Sequence, residues 1–345
     1  MFKRPVFNNT LLNWYHANKR ELPWRETSDP FKIWLSEVML QQTQVITVIP
    51  YYEKFITKYE SLDALAEADE QDLLKDWEGL GYYNRIRNFQ HAVQEVQEKY
   101  DSKVPDCPEE FFKLKGVGPY IGGAVQSIAF NNALAAVDGN VLRVMSRLNR
   151  DGRDMTKASV QKDVKHFIEK DMPLEAGDFN QALMELGATI CTPRTPKCVI
   201  CPVKDHCEAL KANEVMQYPL KKKKKAKQEY YYNVYFILND KDEILLIKQE
   251  DDLLKGMYEL PRFDVDTSLE SIEEKYNIHL SQPGAPVGSH KHVFTHKIWY
   301  MEGYIVYTVN DNENFIPLKD VKKLPMSVAM QKMVNLISTV PDSEL

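Results

Sequence analysis

Apolar residues recur at intervals of three and four along most of the first 217 residues. The stretches LLNWYHANKR, ETSDPFKIWLSEVMLQQTQV, IPYYEKFITKY, LDALAEADEQDLLKDWEGL and NRIRNFQHAVQEVQEKY all carry that spacing, which gathers their apolar side chains on one helical face. Ser61, Ser159 and Asp178 stand where helix N-caps are expected. β-Rich segments appear only after residue 228. There EYYYNVYFILND, DEILLIKQ and THKIWYMEGYIVYTV are rich in Tyr, Ile and Val, with turn residues between them. Helices are expected within SLESIEEKYNI and MSVAMQKMVNLIS. The pattern predicts an all-helical domain over 1–217 and a small α+β domain over 229–345.

Charge sharpens this division. Residues 218–228 hold six lysines and no acid, whereas 1–217 sum to −4 and 229–345 to −8. Like charges packed that densely repel one another, so the run reads as a solvated linker, with phosphate contact as a second role. The acidic balance does not exclude nucleic acid, because a local basic face suffices. No stretch approaches twenty uninterrupted apolar residues and the N-terminus lacks a signal-peptide core, so a cytoplasmic protein is expected.

Chemistry concentrates at Cys191, Cys198, Cys201 and Cys207, a C-x6-C-x2-C-x5-C run. Thiolates grouped so closely suggest a metal centre, either zinc or iron–sulfur. Two disulfides are the alternative, disfavoured where nothing indicates secretion. The other cysteine of the chain, Cys107, reads as an ordinary free thiol. Upstream, LKGVGPYIGGAVQSIAF places Gly116 and Gly118 in a tight turn before a helix. Glycines there permit positive φ and close approach, and the helix N-terminus can face a phosphate. AVDGNVLRVMSRL then sets Asp138 before a helix, where an Asp caps well. Glu37 sits among Trp34, Leu35, Val38 and Leu40, surroundings that raise a carboxyl pKa.

The glycine hairpin, V-D-G-N-V-x-R and the cysteine run, in this order, resemble the helix–hairpin–helix DNA glycosylases that hold a [4Fe–4S] cluster. LPWR at 22–25, WLSEVMLQQTQV at 34–45, WEGLGYYNRIRN at 77–88 and GVGPY at 116–120 resemble the MutY branch, which removes adenine opposite 8-oxoguanine in duplex DNA. That resemblance implies Glu37 as general acid at adenine N7 and Asp138 as the anion that stabilises the cationic sugar. Asn140 and Tyr120 would position the pair. Gln42 and Tyr82 would wedge into the duplex. Trp24, Arg25, Leu40 and Gln181, with Arg20, would line the adenine pocket. The four cysteines would hold the cluster and bring Arg194, Lys197 and Lys204 to phosphates. The endonuclease III branch carries a Schiff-base lysine where Tyr120 stands, so a mainly monofunctional hydrolase is implied, with Lys115 nearby for weak lyase action; a monomer is expected.

GMYELPRF at 256–263 resembles a Nudix segment, with Tyr258 in the usual Trp place. Glu270, Glu273 and Glu274 do not complete the magnesium-binding box, so a Nudix shape without hydrolase activity is expected. HVFTHKIW at 292–299 resembles the loop that contacts 8-oxoguanine, here with Phe294, Thr295 and His296. The rivals are an endonuclease III-type pyrimidine glycosylase and lyase, a non-catalytic iron–sulfur DNA-binding module, and a nucleotide-pool Nudix hydrolase. Tyr120, the two retained acids and the incomplete magnesium box count against them in turn.

Overall fold

The computed structural model describes residues 4–220, 226–250, 254–283 and 286–337; the lysines at 221–225 lie outside the described residues. Among the described residues twelve α-helices come first: α1 (Arg4–Asn18), α2 (Pro30–Leu40), α3 (Val45–Lys58), α4 (Leu62–Ala66), α5 (Glu70–Asp76), α6 (Asn84–Lys99), α7 (Pro108–Phe111), α8 (Pro119–Phe130), α9 (Gly139–Leu148), α10 (Ala158–Glu169), α11 (Ala176–Thr189) and α12 (Glu208–Lys211). The chain forms two compact units, Met1–Glu67 with Asn88–Lys223, and Ala68–Arg87 with Lys224–Leu345. Residues 68–87 thus group with the C-terminal unit, although the helical pattern in the sequence runs straight through them.

Two expected helices are interrupted. The run 26–45 breaks after α2 at a turn where Gln42 has φ +59, and 62–80 divides into α4 and α5 at the Asp69 cap. Ser61 caps α4 as expected, accepting from the Ala64 N–H. Ser159 and Asp178 do not cap: they lie inside the first turns of α10 and α11, whose N-cap residues are Lys157 and Glu175.

In the first unit α1, α9, α10 and α11 enclose Leu11, Tyr15, Val141, Leu148, Phe179 and Leu186, and Cys191, Cys201 and Cys207 pack against this core. A second layer seats Trp34 edge-on between Phe89 and Phe111, at 4.9 Å from each. Helices α8 and α11 approach closely, and Gly177 makes that contact: a Cβ there would sit 2.6 Å from the Ser127 carbonyl oxygen.

The second unit is built on β1 (Gln228–Leu238), β2 (Glu243–Leu245), β3 (Ile247–Lys248), β4 (Tyr258–Glu259), β5 (Arg262–Asp264), β6 (Gly288–Val293), β7 (Lys297–Tyr307) and β8 (Phe315–Pro317), with α13 (Leu269–Tyr276) and α14 (Val328–Ile337). The main sheet runs β6-β7-β1-β2-β8, with β5 also on β1 and β3 paired with β4 apart. Strands β1 and β7 are parallel, Gln228 opposite Lys297 through Leu238 opposite Tyr307. Alternation along β1 feeds both faces. Val234, Phe236 and Leu238 meet Met330 and Met333 of α14, while Tyr235 and Ile237 meet Ile272 of α13. The excursion 68–87 joins this unit through polar contacts. Lys75 donates to the Leu324 carbonyl at 3.2 Å, the Met326 N–H to Glu78 at 2.9 Å, and Leu74 lies beside Gly256.

Candidate active site

Helix α2 is apolar almost all round, so its one acid is carried inside. Glu37 is 5% exposed, and burial, the largest effect, pushes its carboxyl up to about 7 from the ordinary 4.5. The neighbouring Asp138 adds to the rise, while the Tyr120 hydrogen bond and the Arg25 charge oppose it. Tyr120, in the first turn of α8, donates its phenolic O–H to Glu37 Oε2 at 2.5 Å. This leaves Oε1 as the oxygen on which a donatable proton can sit.

Asp138 is the N-cap of α9. Its Oδ1 accepts from the Val141 N–H and its Oδ2 from Asn140 Nδ2, both at 2.7 Å. Burial raises its pKa from the usual range, against the lowering effect of those two bonds and of Arg143. The helix-end field taken by itself predicts the opposite direction; desolvation outweighs it. Asn140 is held in turn. Its Oδ1 accepts from Arg143 Nη2 at 2.9 Å, and Gly187 of α11 packs so close that a Cβ there would lie 2.6 Å from Asn140 Cβ.

A cleft of about 740 Å3, including its open mouth, is lined by Glu37, Tyr120, Asp138, Asn140, Arg20, Trp24, Arg25, Leu40 and Gln181 among others. Nine residues singled out from sequence therefore converge on one cavity. Ser36, Met184 and Glu185, which were not singled out, are among the other residues that line it. Glu185 is 1% exposed. Its carboxylate accepts from Arg20 Nε at 2.6 Å, Arg20 Nη2 at 2.9 Å and Arg25 Nη2 at 2.9 Å. Burial alone would raise its pKa, but the two guanidiniums hold it below the ordinary value. What the sequence offered was only a single acid in the apolar stretch ALMELGA of α11, of a kind that is rarely buried without a partner; its two arginine partners lie far upstream in the chain.

Other expected residues lie outside this cleft. Gly116 adopts φ +79, and a Cβ there would meet Asn88 at 2.9 Å. Gly118 is different from the expectation: it caps α8 with φ −89 and ψ 178, an extended conformation open to any residue, so only Gly116 uses the freedom of glycine. Gln42 is exposed in its left-handed turn, and Lys115 is exposed beside Gly116. In the second unit Tyr82, with φ +48 and 45% exposed, shares a 2.8 Å hydroxyl–hydroxyl hydrogen bond with Thr295. Phe294 stacks edge-on against His292 at 4.4 Å and Trp299 at 4.7 Å, and His296 is exposed. Lys227, the last of the lysine run, donates to the Phe294 carbonyl at 2.6 Å, so this amine is engaged within the protein.

The four cysteines are half-buried around a common apolar cavity with Arg147, Leu148 and Val203. Burial and mutual repulsion push the Cys198, Cys201 and Cys207 thiols up, Cys201 to about 12; such a set is comfortable as thiolates only around a cation. Four thiolates on one loop can hold either a tetrahedral zinc or an iron–sulfur cluster. The buried Arg147 ties the loop down, donating to the Cys191 and Thr192 carbonyls at 3.2 and 2.8 Å. Arg194, Lys197 and Lys204 are exposed on the same loop.

Comparison with known proteins gives the class: a base excision DNA repair protein of helix–hairpin–helix type. Residues 35–170 match the HhH-GPD superfamily of base excision DNA repair proteins, 191–207 the iron–sulfur binding domain of endonuclease III, and 233–336 the NUDIX domain. The adenine DNA glycosylase of Buchnera aphidicola subsp. Schizaphis graminum is 34% identical over 295 residues, covering 84% of each chain. That of Homo sapiens is 42% identical over 222 residues, 61% of this chain and 41% of the human one. Among solved structures, a thermostable thymine-DNA glycosylase superposes with TM-score 0.56 at 31% identity, covering 61% of this chain and 97% of that one. The chain belongs to the adenine DNA glycosylase family, and its cofactor is a [4Fe–4S] cluster. Among the described residues no helix is long and apolar enough to cross a membrane.

Proposed function

We propose that the protein hydrolyses the N-glycosidic bond of adenine mispaired with 8-oxoguanine in duplex DNA, acting as a monomer. The carrying observation is Glu37: a buried acid titrating near neutrality, oriented by Tyr120, on the same cleft as Asp138. The target adenine leaves the stack and enters this cleft. Glu37 gives its proton to N7 as the C1′–N9 bond breaks, so the electron pair departs on a neutral base. The Asp138 carboxylate stabilises the cationic sugar, either as an ion pair or as a transient ester at C1′. Water then adds to C1′ and its proton returns to Glu37.

Each neighbour has a task that its contacts support. Asn140 keeps one Asp138 oxygen in place. Trp24 and Leu40 supply apolar walls, and Arg20, Arg25 and Gln181 the polar edge. Four thiolate ligands leave the cluster no open coordination position, so its task is to fix the loop that carries Arg194, Lys197 and Lys204 to DNA phosphates. Tyr120 in place of a Schiff-base lysine supports hydrolysis without strand cleavage. Gln42 and Tyr82 would fill the space that the base vacates. Phe294, Thr295 and His296 would read the opposite base, with Thr295 held by Tyr82.

The deciding assay is single-turnover treatment of a duplex carrying adenine opposite 8-oxoguanine, followed by alkali. Cleavage at that adenine and little on undamaged control pairs is expected. No cleavage, or equal cleavage of all pairs, would defeat the proposal.

A further inference from the structure

Glu185 has a buried carboxylate that the chemistry above does not use. It accepts three charge-assisted hydrogen bonds, two from Arg20 and one from Arg25. Arg25 is the branch point. Its Nη1 donates to the Arg20 carbonyl at 3.0 Å and its Nε to Gln181 Oε1 at 3.1 Å. The Gln181 carbonyl is therefore occupied, and its NH2, with only a 3.4 Å contact to Asp178, is the end offered to the cleft. The same Arg25 charge acts on Glu37.

We propose that Glu185 is a positioning residue for base excision, fixing how much cationic charge faces Glu37 and which end of the Gln181 amide meets the extruded base. This rests on the adenine glycosylase reading of the cleft. Arg20, Arg25 and Glu185 together carry one net positive charge. Removing the carboxylate leaves two, and removing Arg20 leaves none. Arg25 is the member of the triad whose charge acts on Glu37, and the positive charge around it grows or shrinks with the count, while the other charged or titratable neighbours of Glu37, Tyr120 and Asp138, stay as they are. Tyr15, which feels Glu185, Arg25 and Asp178, is common to all variants. A donor end on Gln181 suits a ring-nitrogen acceptor, which adenine has at N1 where guanine carries an N–H.

The test is the pH profile of single-turnover base release by the cluster-loaded protein, for wild type, Glu185→Gln and Arg20→Gln, each checked for iron–sulfur absorbance and thermal midpoint. Extra positive charge favours the ionised Glu37, so Glu185→Gln should move the alkaline fall in rate to lower pH by about half a unit or more. Arg20→Gln should move it to higher pH. A uniform loss at all pH values with an unmoved limb, or shifts of the same sign in both variants, would overturn the proposal while leaving the glycosylase reading intact. Absence of base release by the wild type would instead fail that reading. If Glu185→Gln does not fold, the sign of the Arg20→Gln shift still decides.

Discussion

The Tyr120 hydroxyl and the Glu37 carboxylate lie 2.5 Å apart, a donor from one helix fixing the acid of another. The bond does two things at once. It settles which carboxyl oxygen is left for the base, and it restrains the rise in pKa that burial imposes.

Base release should depend on protonated Glu37. Activity is expected to be full below pH about 7 and to fall above it, because the carboxyl titrates at about 7. Tyr120→Phe removes a bond that favours the anion, so the fall should move to higher pH even though orientation suffers. A pH–rate profile measures both; a limb that does not move in Tyr120→Phe refutes the assigned contact.

The same acid should weaken the fold. Between its ordinary 4.5 and about 7 the native protein holds a proton that the unfolded chain has released, so stability rises as pH falls through this window and is lowest above it. Glu37→Gln should abolish base release, a loss of about 10²-fold or more. At pH 8 it should also raise stability by about 1–3 kcal/mol. Thermal melts at pH 8 and pH 5 check this: a Glu37→Gln gain as large at low pH as at high pH would contradict it.

Asp138→Asn separates capping from chemistry. Asn caps helices about as well as Asp, so the Val141 contact should survive, with the thermal midpoint falling by no more than a few degrees. Base release should drop by about 10²-fold or more, because the sugar cation loses its counter-charge. Retained turnover would remove Asp138 from the mechanism.

Gly187→Ala is the mildest change with a large expected effect. Its Cβ would sit 2.6 Å from that of Asn140, pushing this side chain off Asp138 and Arg143. A loss of about 1–3 kcal/mol in stability is expected, with base release lowered at least about tenfold. Unchanged kinetics would show that Asn140 is not needed where it is.

Thr295→Ala deletes the hydroxyl that Tyr82 engages. One such bond is worth about 1 kcal/mol, so the preference for adenine opposite 8-oxoguanine over adenine opposite guanine should shrink roughly fivefold. Release from each duplex under single turnover measures the ratio, and an unaltered ratio would exclude Thr295 from reading the opposite base.

Much of the architecture was written in local pattern. The apolar surroundings of Glu37, the cap at Asp138 and the cysteine spacing all depend on near neighbours in sequence, and the structure places them as expected. What escaped depended on distance. Glu185 acquires its partners from residues 160 and 165 positions away, so nothing near it in the chain announces them. The breaks at Gln42 and Asp69 escaped because helical periodicity continues across them, and the strands β6 and β8 because GSHKHV and FIP are short or polar for strands. The grouping of 68–87 with the C-terminal unit rests on Lys75, Glu78 and Tyr83 meeting residues near Met326, contacts that no linear pattern encodes.

That last arrangement changes what a truncation means. A chain stopped at the lysine run would keep both acids and every cysteine of the cluster loop, and on paper it is a complete catalyst. In water it would leave Glu78 and Lys75 without the main-chain groups they now hold, and Leu74 without the loop at Gly256 that shelters it. Such a fragment should be sticky and heat-labile, so sluggish excision by it would report a frayed segment as much as a lost reader of the opposite strand.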